Sequence, residues 1–125
     1  MKIIIESAPF DTLRNKQVDD YWYDADGTLQ IRVAEELSDE RRKQAVALHA
    51  LWEALTCRHA GVIVQMIDWW DEHFQTFGLP ASAEPGDDPH CPYYRQHQKA
   101  TIVERLFIEE VGDNWQEYEK EVNEL

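Results

Sequence analysis

The chain has too little cysteine for a disulfide framework and too few cations to hold a nucleic acid. Only Cys57 and Cys91 occur in 125 residues, so a reducing cytoplasm is the expected compartment. Lys and Arg total 12 against 25 Asp and Glu, a net charge of −13. A surface this acidic repels phosphate, which argues against direct DNA or RNA binding. Its apolar runs fall far short of the roughly 20 residues that span a bilayer. The opening Met-Lys-Ile-Ile-Ile-Glu meets an acid too early for the apolar region of a signal peptide. No membrane association is therefore expected. Glycine-rich phosphate loops, a nucleophile elbow and a Cys-x-x-Cys pair are absent too. Internal repeats and low-complexity segments are also lacking.

What is present suits one packed domain over residues 1–125. Hydrophobic residues make up 43% of the chain, with five tryptophans among them, a composition that argues for a globule and against a disordered tail. The fold class read from the pattern is α+β: short antiparallel strands and a hairpin over 1–36, then three to four packed helices over 38–125, with a loop at about 79–93. Lys2–Glu6 is a β-branched run. Tyr21-Trp-Tyr and Thr28–Val33 flank Asp26-Gly27, a turn pair that supplies positive φ for a tight hairpin. Asp24, Asp26 and Gly27 also resemble the opening of a calcium loop, with Glu35 and Glu36 near its closing position. The residues between alternate like a strand, however, so the turn is preferred.

Ser38, followed by Asp39 and Glu40, is the expected N-cap of a helix running to about His59 and stopped by Gly61. Its apolar stripe reads as Ala45, Leu48, Trp52 and Leu55, with His49 and Glu53 beside it. A second helix is expected over Val62–Phe77 with Ile63, Met66, Ile67, Trp70 and Phe74 inward, stopped by Gly78-Leu-Pro80. A third runs from about Tyr94 to Val111. Asp113 with Gln116 resembles a capping box for a last short helix. That helix would turn Trp115, Tyr118, Val122 and Leu125 inward and Glu117, Glu121 and Glu124 outward.

Two histidine–carboxylate pairs at helical spacing carry the chemistry. His49 and Glu53 stand four apart, and His97 and Glu104 seven apart, so each pair shares a helix face. Imidazole nitrogen and carboxylate oxygen are zinc ligands, and the expected metal set is His49, Glu53, His97 and Glu104. The bland alternative is that both pairs are half-buried hydrogen bonds tying helices together. Glu104 sits among Val103, Phe107 and Ile108, where a carboxylate needs a positive or hydrogen-donating partner. In the zinc metalloprotease pattern His-Glu-x-x-His, the second position supplies the general base; here it is Ala50, which cannot remove a proton. Glu104 or Asp68 would have to act instead. Asp68, an acid on an apolar face, could alternatively orient a ligating imidazole. A second metal set, Cys57, His59, His90 and Cys91, has spacings poorly suited to chelation.

From His49, Glu53 and Cys57, through Glu84-Pro-Gly-Asp87, Pro92-Tyr93, His97, Ala100 and Glu104, to Gly112, Trp115 and Tyr118, the chain resembles small proteins of phages and prophages. Their sequences pair a His-Glu-Leu-x-Glu-like helix ending in Leu-Cys with a later His…Glu segment. The resemblance covers roughly residues 40 to 118. It implies a bacterial host cell and a site that looks metal-binding, and it carries no activity. A hairpin followed by a histidine-bearing helix is similar to the core of zincin-type metalloproteases, an analogy of fold only. This chain departs from the pattern at Ala50, which weakens hydrolysis more than metal binding.

Two functions are thus expected from different classes. One is a zinc-binding domain, either a zincin-like hydrolase or an inactive relative. The other is a non-enzymatic acidic protein that blocks a basic surface of a host nuclease or DNA-binding protein. Its support is residues 101–125, where Glu104, Glu109, Glu110, Asp113, Glu117, Glu119, Glu121 and Glu124 face only Arg105 and Lys120.

Overall fold

The computed structural model describes residues 1–77 and 84–125, so the expected helix stop at Gly78–Pro80 lies outside the described residues. A three-stranded sheet is followed by four helices, an α+β fold. Strands β1 (Ile3–Ala8), β2 (Asp19–Tyr23) and β3 (Leu29–Ala34) lie in the order β1-β3-β2. The hairpin forms as its sequence predicts: β2 and β3 pair antiparallel with Tyr21 opposite Ile31, and Gly27 supplies the turn at φ +86°. The carboxylate of Asp24 accepts from Trp22 and Gln30 within this hairpin. The expectation of wholly antiparallel strands is corrected at β1, which pairs parallel to β3 with Ile5 opposite Ile31. That places β3 in the centre, and its Leu29, Ile31 and Val33 are nearly inaccessible.

Helix α1 (Glu40–His59) packs against β2 and β3 and along α3 (Tyr94–Glu110). Its N-cap is Asp39, which accepts from the Arg41 amide at 2.8 Å. Ser38 is drawn away, giving its amide and hydroxyl to Glu121. The buried residues of α1 are Ala45, Val46, Ala47, Ala50, Glu53, Ala54 and Cys57; of the expected stripe Ala45 is buried, but Trp52 is exposed and Leu48 and Leu55 are half-buried. Small side chains win the interface because they let two helices approach closely. Ala50 on α1 and Ala100 on α3 are both fully enclosed. This orientation carries Glu53 into the core and His49 to its margin.

Helix α2 (Val64–His73) runs into a 3-10 turn at Phe74–Phe77. Ile67, Trp70 and Phe74 are buried as expected, whereas Ile63 and Met66 are exposed. A second 3-10 turn, Pro85–Asp87, lies against α2 and α3, held by the Trp70 indole donating to the Pro85 carbonyl at 2.7 Å. Helix α4 (Trp115–Glu124) is capped by Asn114, not by Asp113. The carboxylate of Asp113 accepts from Arg42 instead, at 2.8 and 3.0 Å, and Glu121 accepts from the same guanidinium at 2.7 Å. Tyr118 is buried and Trp115 and Val122 are half-buried, while Leu125 stays exposed. Among the described residues no helix is long and apolar enough to cross a membrane.

Candidate metal centre

Where α1 meets α3, three ligand atoms converge. His49 Nε2 lies 3.2 Å from His97 Nδ1 and 3.3 Å from Glu53 Oε2. His97 Nδ1 is 3.0 Å from the same oxygen. Ligands bonded to a tetrahedral zinc at about 2.0–2.1 Å stand roughly 3.3 Å from one another, so this triangle has nearly the edges such an ion requires.

The outward nitrogens explain why the inward ones are available. His49 Nδ1 sits 3.0 Å from Glu104 Oε1, and His97 Nε2 lies 3.1 Å from Glu84 Oε2 and 3.2 Å from Asp87 Oδ1. The last two contacts are close ion-pair distances without hydrogen-bond alignment. A carboxylate behind an imidazole favours a proton on the nitrogen it faces, and leaves the opposite nitrogen with a bare lone pair. Two such lone pairs and a carboxylate oxygen then point at one spot. Three bare acceptors cannot share it: either a metal ion stands between them or an inward nitrogen carries a proton and donates to Glu53.

The surroundings press for positive charge. Burial opposes a charged His49, but the bonds to Glu104 and Glu53 outweigh it and raise its pKa to about 10. His97 is likewise pushed far up against its burial by Asp87, Glu53 and Glu84. Burial raises Glu53, and the two imidazoles more than reverse this, to about 2. The second oxygen of Glu53 accepts from the Tyr21 hydroxyl at 3.1 Å. Gly86 makes the tight fit over His97 feasible, since a Cβ there would lie 2.3 Å from His97 Cγ.

Three of the four expected ligands therefore come together: His49, Glu53 and His97 form a candidate metal group. Glu104 does not join them. One of its oxygens faces His49 Nδ1 and the other accepts from the Tyr118 hydroxyl, so it holds an imidazole in place. Asp68 is elsewhere, bound to Arg14 at 2.8 Å, and the Arg14 guanidinium also holds Asp20. The set Cys57, His59, His90 and Cys91 does not assemble among the described residues: both thiols are buried, both imidazoles are exposed, and His90 pairs with Asp88.

Comparisons with protein-family models, curated proteins and solved structures found no match.

The centre opens on a cavity of about 550 Å³ lined by His49, Glu53, His97 and Glu104, together with Asp19, Asp71 and Tyr93. Ala50 is absent from its walls because it packs in the core. Residues not foreseen from sequence complete the site: Tyr21, Tyr118, Glu84, Asp87 and Asp19. The tyrosines had a legible signal, since a hydroxyl on an inward stripe needs an acceptor. Asp19 had none, as an acid at a strand's first residue reads as surface.

Proposed function

We propose that this domain is a zinc-binding centre of the phage and prophage type, with His49, Glu53 and His97 as ligands and a fourth position open to the cavity. The observation that carries it is the triangle of two imidazole nitrogens and a carboxylate oxygen with 3.0, 3.2 and 3.3 Å edges. Two nitrogens and one oxygen suit zinc. Three protein ligands beside a solvent-sized space resemble a catalytic site, whereas structural sites close the fourth position with protein. The chemistry such an ion supplies is polarisation of a carbonyl or activation of a water. A hydrolase is therefore the reaction class, provided a base other than residue 50 exists. Free, buried Cys57 and Cys91 accord with a reducing compartment such as the cytoplasm of a bacterial host. The acidic-decoy reading draws less support, since Asp113 and Glu121 are spent on Arg42.

Metal analysis of tag-free protein tests the proposal. One zinc per chain is expected in the wild type and a negligible amount in His49→Ala. Equal and negligible zinc in both would remove the metal site.

A further inference from the structure

A hydrolytic centre needs a group that removes a proton, and the position where His-Glu-x-x-His sites carry it holds Ala50, fully buried in the core. The other carboxylates near the ion's position are occupied. Glu53 is a ligand held by Tyr21, Glu104 is bound by His49 and Tyr118, and Asp71 accepts from Tyr93. Glu84 stands behind His97 at Nε2, on the side away from the triangle. Two carboxylates remain on the cavity wall, and of these Glu72 is exposed to solvent whereas Asp19 is partly enclosed. Asp19, the first residue of β2, lines the same cavity as the ligands, and its side chain has no hydrogen-bond or ion-pair partner among the described residues.

We propose that Asp19 is the general base of this centre, accepting the proton of a water held at the ion's open position. The proposal rests on the metal reading above. In the step, a water O–H bond breaks and its proton passes to Asp19, while the oxygen's electron pair bonds to the acyl carbon of a substrate. The bond to the leaving group then breaks with its electron pair going to the leaving atom, and Asp19 returns the proton there. Water is divided across the acyl bond, and nothing is oxidised or reduced. The surroundings favour the role. Burial raises the pKa of Asp19, the charge of His49 lowers it, and Glu53, Glu84 and Glu104 raise it again, to about 7. A proton acceptor works best with a pKa near the working pH. Because it faces a cavity, Asp19 is enclosed by protein yet keeps accessible surface for water.

The zinc-loaded full chain with p-nitrophenyl acetate tests this, because that leaving group needs no proton and the attack step is read alone. Asp19→Asn should keep its zinc and melt no lower than the wild type but lose about 100-fold in kcat/KM. Added formate should restore about tenfold in Asp19→Ser, a rescue that a merely structural residue would not permit. Asp68→Asn should match the wild type. Activity of Asp19→Asn within about threefold of wild type at equal zinc, no rescue by formate, or a loaded wild type no faster than the zinc-free protein would each overturn the proposal. A wild type that takes up no zinc sinks the metal reading instead, so the two failures are told apart.

Discussion

Zinc should stabilise the fold through atoms drawn from two helices, and the size of the effect can be worked out. The ligands come from α1 and α3, which pack together in the fold; an unfolded chain does not hold them at 3.0–3.3 Å. An ion that binds only the folded form stabilises it by about 4 kcal/mol when free zinc is about 1,000 times Kd. For a domain of this size 1 kcal/mol moves Tm by roughly 3–5 °C, so the rise should be roughly 12–20 °C. Differential scanning fluorimetry with zinc, and again with a chelator, reads it. The informative quantity is the zinc-dependent increment within each variant. His97→Ala will melt lower even without zinc, because it opens space beside Glu53 and strands that buried carboxylate. With one of three ligands gone, its increment should shrink to a few degrees. Asp68→Asn, whose carboxylate pairs with Arg14 and does not line the cavity of the triangle, should keep the full rise. Equal increments in wild type and His97→Ala would refute the reasoning, since they would place the bound zinc somewhere else.

Gly86→Ala puts a methyl 2.3 Å from His97 Cγ and 2.5 Å from Nδ1, so ring or turn must move; zinc affinity by competition with a chelator should weaken by about tenfold or more. Asp71 gives a pH prediction for the zinc-free protein. Burial raises its pKa to about 8, the Tyr93 hydroxyl lowers it, and the charges of Glu53, Asp19 and Asp68 raise it. The folded form thus holds a proton that the unfolded chain releases near 3.8, so this contribution is complete below that value and is lost as pH rises to about 8, by at most about 1.4 kcal/mol per pH unit. In Asp71→Asn, urea melts between pH 4 and 8 should show a flatter fall and greater stability than wild type at pH 8; an unchanged slope would contradict the assignment.

The fold was legible wherever one local signal decided the outcome. Asp26-Gly27 specifies its turn, and the helical segments carry caps and breakers close to the observed ends. Features set by two elements at once were not legible. Nothing in Lys2–Glu6 says that β1 will pair parallel to a strand two elements later. The buried stripe of α1 was misplaced because hydrophobic size favours Leu48, Trp52 and Leu55, whereas close helix packing favours Val46, Ala50 and Ala54. Asp113 reads as a cap because Gln116 follows it, yet the half-buried guanidinium of Arg42 offers it two charge-assisted bonds, worth more than one backbone amide.

The same distinction explains the centre. Helical spacing put His49 with Glu53 and His97 with Glu104, which is a statement about single helices. Packing α1 beside α3 crosses the partners: Glu104 serves His49, and Glu53 stands closer to His97, at 3.0 Å, than to His49, at 3.3 Å. Crossing gives the four residues unequal roles, with three atoms facing inward and one carboxylate behind a ring. Spacing alone treats them as equals. The base follows the same logic. In His-Glu-x-x-His the helix that carries the ligands also carries the acid, so a motif search looks at residue 50. Here α1 is rotated so that residue 50 packs in the core and off the cavity wall, and a glutamate there would bury an unpaired charge. Any proton acceptor must therefore come from another element bordering the cavity, and the edge of β2 places Asp19 there.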